Sequence, residues 1–203
     1  MSRKTWIYII FFALLFGGFY VFLYATIDTS KSKLPVLTNV HSFSFTRQDG
    51  KQISEKDVLG KVNVVEFFFS TCQGICPRLN HQMQKLSTHF KGQNNLLILS
   101  HTVDPTNDTV ERLKNYSDSL GADINQWWFL TGEKKELYKS ARENYLLDDP
   151  QNNSVNINEQ FLHTQFFALV DAQGRVRGIY DGLKSDEIKK LYSDIEDLLK
   201  ENK

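Results

Sequence analysis

The chain has 203 residues, and its 24 Lys+Arg balance 24 Asp+Glu, so the formal charge is zero. That length allows one main domain plus extras, and the absence of a basic stripe leaves nucleic-acid binding without support. With 15 Phe, 8 Tyr and 3 Trp, aromatic bulk is ample for a packed core and a membrane anchor.

The first expected element is a transmembrane helix, because Trp6 to Ile27 carries no charged side chain. Roughly 22 residues rising about 1.5 Å each cross a hydrocarbon layer ~30 Å thick. Trp6, Tyr8, Tyr20 and Tyr24 lie near its ends, where interfacial belts place aromatics. The run is longer than the about 7–15 apolar residues of a signal peptide, and Leu23-Tyr24-Ala25 is a poor small-x-small cleavage site. An uncleaved anchor over residues 6–27 is expected, with 1–5 as a cytoplasmic tail. Arg3 and Lys4 precede the span, and Lys31 and Lys33 follow it with Asp28 between. The positive-inside rule tips towards a cytoplasmic N-terminus. The soluble part then faces the periplasm or another extracytoplasmic space, and a bacterial inner membrane is the simplest home. No cysteine follows the apolar run, so a lipidated-cysteine anchor is not expected.

Residues 28–39 read as a polar linker and 40–203 as the soluble domain. His41 to Thr46 alternates polar and apolar, Gln48-Asp49-Gly50-Lys51 signals a turn, and Gln52-Ile53-Ser54 reads as a returning strand, so a β-hairpin is expected. Val62 to Phe69 is a near-continuous apolar run, the pattern of a buried central strand, interrupted only by Glu66. Leu79, Met83, Leu86 and Phe90 follow at helical spacing and stop near Gly92. Leu96 to Ser100 is a second buried strand, so a right-handed crossover and parallel pairing are predicted. Asp108-Thr-Val-Glu111 resembles a capping box opening a helix that Gly121 closes. Trp127 to Leu130 is a short strand, and Thr131 is predicted to cap a helix running from Glu133 to about Asn144. Leu146 to Phe161 is polar and Asn-rich, a long loop of the kind that is often functional. Gln165 to Asp171 and Val176 to Tyr180 form a second hairpin, and Ser185 opens a last helix with Ile188, Leu191, Ile195 and Leu198 inward. This order is an α/β, thioredoxin-like plan with an extra N-terminal hairpin, preceded by one transmembrane helix.

The chain's two cysteines, Cys72 and Cys76, stand where the first buried strand hands over to its helix. A structural disulfide closing so short a loop would remove little chain entropy. Two thiols this close are more often redox-active or metal-binding. About one helical turn separates them, so both sulfurs can face the same way, and a helix N-terminus favours thiolate. Two thiolates are too few for a four-thiolate cluster or a structural zinc site, but with one imidazole they suit copper. Of five histidines, His41, His81 and His89 read as surface residues. His101 ends the strand beside the cysteine strand, and His163 ends the Asn-rich loop just before the Phe166 strand. Both are kept as candidates, with His163 ranked modestly ahead. None of the four prolines (Pro35, Pro77, Pro105, Pro150) immediately precedes Phe166, the place where thioredoxin-type oxidoreductases carry theirs, and the Cys-x-x-x-Cys spacing also differs from their Cys-x-x-Cys.

Val64 to Pro77 with Cys-x-x-x-Cys-Pro, Thr102-Val-Asp104-Pro105 with Asp108-Thr109, and His163-Thr164 with Leu169-Val-Asp171 together resemble the Sco/SenC family. The similarity runs in order over about residues 40–200. Gln73 and Gly74 replace a more usual proline and polar residue, and Thr164 stands where serine is common. The resemblance implies a membrane-anchored, thioredoxin-like copper chaperone for cytochrome c oxidase. It implies one copper per chain, Cu(I) or Cu(II), held by Cys72, Cys76 and His163, with the carboxylate of Asp104 nearby. The implied partners are the copper-binding subunit of the oxidase and other copper chaperones or thiol–disulfide reductants. Two other readings fit the same residues. One is a thiol–disulfide oxidoreductase in which Cys72 and Cys76 are catalytic and keep the oxidase's copper-ligand cysteines reduced. The other is a copper or redox sensor.

Overall fold

The computed structural model describes residues 3–26 (backbone only from 23), 34–162 and 164–201. The chain divides into two compact units, 1–32 and 33–203. The first holds one helix, α1 (Arg3–Thr26), apolar around its whole circumference, and Arg3–Phe22 is long and apolar enough to cross a membrane. The end of the expected span at Ile27 and the linker as far as residue 33 lie outside the described residues.

The second unit is built on one eight-stranded sheet in the order β1-β8-β7-β4-β5-β6-β2-β3. Its strands are β1 (Thr38–Asn39), β2 (Ser44–Arg47), β3 (Gln52–Ser54), β4 (Val62–Phe68), β5 (Leu96–Thr102), β6 (Trp127–Thr131), β7 (Phe166–Val170) and β8 (Arg175–Asp181). The predicted parallel pairing is present: β4 runs parallel to β5, and β5 to β6. The β7–β8 hairpin adds antiparallel to β4, and the β2–β3 hairpin adds antiparallel to β6. All seven residues of β4 and of β5 are buried, as central strands require.

Two short elements at the start of the domain escaped the sequence pattern. Helix α2 (Glu55–Val58) follows β3 directly, with Ser54 and Asp57 forming its capping box. Strand β1 lies in the stretch read as linker. It pairs with β8 while the Arg177 guanidinium donates to the Leu34 and Pro35 carbonyls, so residues 34–39 are part of the folded domain. A two-residue strand carries too little pattern to be seen without its partner.

Helices cover both faces of the sheet. One face packs against α3 (Cys76–His89), α4 (Val110–Ser119) and α6 (Ser185–Glu201) through Leu79, Met83, Leu113, Leu191 and Ile195. The other packs against α5 (Lys134–Lys139) through Leu137 and Tyr138, with Phe45 and Ile53 of the sheet's own β2–β3 edge in the same core. Two cap assignments shift. Thr109, not Asp108, caps α4, because its hydroxyl accepts from the Arg112 amide and leaves Asp108 free for other bonds. The helix expected over 133–144 begins after Glu133 as α5 and widens into a π-helical turn, Ser140–Asn144. Leu146 then takes a positive φ of 56°, turning the chain into the long Asn-rich segment.

Candidate metal centre

Strand β4 delivers the chain to the rim at Phe68, and residues 69–75 turn back before α3 starts at Cys76 with Pro77 in its first turn. The Cys72 amide donates to the Phe69 carbonyl (3.2 Å), so Cys72 sits in this turn rather than on the helix. Both cysteines are free thiols, Cys72 half-buried and Cys76 buried. Cys72 lies close enough to Cys76 to hold the Cys76 proton more firmly. The pair is therefore brought together through the turn and not through a shared helical face.

The helix N-terminus does not win at Cys76. Burial, followed by the neighbouring Cys72 thiol, pushes its thiol up to about 12, and the Phe69 backbone only partly offsets this. In the metal-free protein Cys76 keeps its proton.

Below the thiols lies a buried polar network. Glu66, the exception in its apolar strand, is on the α3 face of the sheet, where Ser100 Oγ donates to its Oε1 (2.6 Å) and accepts from Trp127 Nε1 (2.8 Å). Burial raises the Glu66 carboxyl to about 7 against a weaker opposing effect from Ser100. On the same face Asn80 Nδ2 donates to the Tyr116 hydroxyl (2.6 Å).

The turn is tied to the β5–α4 connection. The fully buried Asp108 accepts from the Ser70 amide (3.1 Å to Oδ2), the Ser70 hydroxyl and the Thr102 hydroxyl. Arg112 Nε donates to Ser70 Oγ (2.6 Å) and lies 3.7 Å from Asp108 Oδ1. Asp104 is arranged differently. Its carboxylate accepts from Asn107 Nδ2 (2.7 Å), and its amide donates to Thr102 Oγ1 (2.9 Å). Asp108, read from the sequence as a helix cap, is the carboxylate bonded to the cysteine loop. Its one visible signal was that it shares a motif with Asp104.

Among the histidines, His41, His81 and His89 are exposed, as expected. His101 is not at the rim. Its ring is fully buried, stacked on Phe67 (5.0 Å between centroids, 20°) and flanked by Phe45 and Tyr145 (5.4 Å each). It faces the opposite side of the sheet from Cys76, because strand residues alternate and His101 falls in phase with Leu99 and Val103. Burial holds its imidazole down at about 3, so it stays neutral. His163 lies outside the described residues. Its sequence neighbours Leu162 and Thr164 line an open groove of about 800 Å³ together with Ile75 of the cysteine loop and the exposed Leu146, Phe161 and Phe166. Among the described residues no three His, Cys, Asp or Glu side chains converge as a metal site. The thiol pair is the soft donor set present.

A parallel three-strand core, a crossover helix beginning at a free thiol pair and a β7–β8 hairpin alongside define a thioredoxin-like thiol protein. Residues 33–200 match the family SCO1/SenC, and the chain belongs to it. It is 30% identical to the SCO1 protein homolog of Bacillus subtilis over 167 residues, which is 80% of this chain and 84% of that protein. Its structure is similar to that of BsSco, described as a member of the Sco family of cytochrome c oxidase assembly proteins with a disulfide switch. The TM-score is 0.68 at 28% identity, over 83% of this chain and 96% of the other. It also shares its fold with the copper-bound ScoI of Bradyrhizobium japonicum (TM-score 0.60, 22% identity, 79% and 98% covered).

Proposed function

We propose that this chain is a membrane-anchored copper-binding chaperone that delivers one copper to the binuclear copper centre of cytochrome c oxidase during assembly. The observation that carries the reading is the pair of neighbouring free thiols, one partly accessible, beside an open groove. Two adjacent sulfurs are a soft donor set that suits copper, and one imidazole would complete it. Cys72, Cys76 and His163 are the proposed ligands. The groove supports His163, because both of its sequence neighbours share that lining with the cysteine loop. Copper-bound and oxidase-assembly relatives support the cargo and its destination. The apolar α1 supports the anchor, and Arg3 and Lys4 ahead of it support a cytoplasmic N-terminus, with the domain on the extracytoplasmic side of a bacterial inner membrane.

The residues give the exchange a direction. Copper must displace the Cys76 proton, which burial retains in the metal-free state. Cys72, the more accessible sulfur, is the one an incoming ligand reaches first.

The closeness of the two free thiols also favours a second reading, thiol–disulfide exchange. Oxidation of Cys72 and Cys76 to a disulfide would release two protons and two electrons to a partner disulfide, which is reduced to two thiols. Rescue of oxidase assembly in cells lacking this protein separates the two. The chaperone reading predicts that Cys72→Ser, Cys76→Ser and His163→Ala all fail. Rescue by a His163→Ala chain that cannot hold copper would favour the reductase.

A further inference from the structure

We propose that Asp108 and Tyr138 are positioning residues for the metal centre, tying the cysteine loop and the segment that leads into His163 to one shared stretch, Thr102 to Asp108. The inference rests on the copper reading above and adds two residues which that reading does not use.

The first tie is Asp108. A fully buried carboxylate is costly unless its oxygens are bonded, and here the bonds go to the cysteine loop. Ser70 donates both its amide and its hydroxyl to Asp108, and that hydroxyl also accepts from Arg112. Thr102, at the end of β5, donates to the same carboxylate. Ser70 is therefore held by three hydrogen bonds to two residues, two positions before Cys72.

The second tie is Tyr138. Its hydroxyl donates to the Val103 carbonyl (3.0 Å) and accepts from the Leu162 amide (3.2 Å), and Leu162 immediately precedes His163. Val103 in turn donates its amide to the carbonyl of Phe68, the last residue of the cysteine strand (2.8 Å). The long segment before Leu162 is itself gathered by the buried Arg142, whose guanidinium donates to Asp148 (2.5 Å), Asn153 (2.7 Å) and Gln160. Arg142 comes from the π-helical turn, an irregularity that often marks a functional position.

Both ligand-bearing arms thus end on the stretch from Thr102 to Asp108, which fixes each arm at the residue or two preceding its first ligand. Removing a group that orients a metal ligand typically costs about 10–100-fold in affinity.

The test uses the full-length chain in detergent, titrated with copper, with the Cu(II)–thiolate absorption band recorded at saturation. Tyr138→Phe removes one hydroxyl and keeps the buried ring. Asp108→Asn keeps the shape but loses the carboxylate, and Ser70→Ala stands in for it if that variant folds poorly. Each is expected to bind copper at least about tenfold more weakly and to shift the band. A loss of global stability alone would lower the thermal midpoint and leave the band of the saturated site in place. Wild-type affinity with an unshifted band in both variants overturns the inference. If the wild-type chain binds no copper, the copper reading falls and amide hydrogen exchange in the metal-free chain decides the anchor. Asp108→Asn should speed exchange at Ser70 and Tyr138→Phe at Leu162, and unchanged exchange at both overturns it.

Discussion

On the face of the sheet covered by α3, α4 and α6, β4 buries Glu66 within a hydrogen-bonded set that includes Ser100 and Trp127, and Cys76 lies on the same side. On the face covered by α5, β5 buries His101 among Phe67, Phe45 and Tyr145. Burial favours the neutral form on both sides, so it moves the two groups in opposite directions: Glu66 up to about 7 and His101 down to about 3. The same force holds the proton on Cys76. The difference shows what the strand's alternation decides. Both strands reach the rim together, yet one face carries polar groups beneath a thiol pair, and the other closes an aromatic cage around a histidine that takes no part in the site.

The largest effect should come from substituting one side chain on each face. Cys76→Ser is expected to abolish copper binding by the full-length chain, whereas His101→Phe should leave it at the wild-type level. Loss of binding in His101→Phe would break the comparison. Next is acid stability, followed by urea unfolding across pH. The folded imidazole titrates at about 3 and the unfolded one near 6.5, so the unfolded state takes up the proton first as pH falls. His101 should therefore cost on the order of 4 kcal/mol between pH 6.5 and 3, and His101→Phe should lose that dependence. Glu66 gives a smaller effect of the opposite sign. Its carboxyl is raised from 4.5 to about 7, so the folded state holds the proton longer and stability is lost as pH rises through that window. The loss should be about 3 kcal/mol, and Glu66→Gln should flatten it. A wild-type profile without either slope would mean that water reaches both groups.

Much of this architecture is legible in the sequence. The apolar runs of β4 and β5, the helical stripe of α3 and the turn residues of both hairpins each carry a local period, and the thiol pair announces itself by spacing. What could not be read has a common physical cause. In a strand buried on both faces, apolar residues fill every position, so the pattern does not say which face a polar residue occupies. Counting in twos puts His101 on the side of Leu97 and Leu99, but only the register with β4 shows that this is the side away from Glu66 and α3. Asp108 was hidden for another reason. A carboxylate ahead of a helix reads as a cap, and its bonds to Ser70 span 38 positions in the chain. The thiol acidity expected from a helix N-terminus was outweighed by burial, which depends on tertiary packing.

Copper titration of the reduced, full-length wild-type chain against His163→Ala tests the three-ligand centre most directly. One copper per chain is expected for the wild type, with binding weakened at least about tenfold in His163→Ala. Equal affinity for the two proteins would contradict a site built from Cys72, Cys76 and His163.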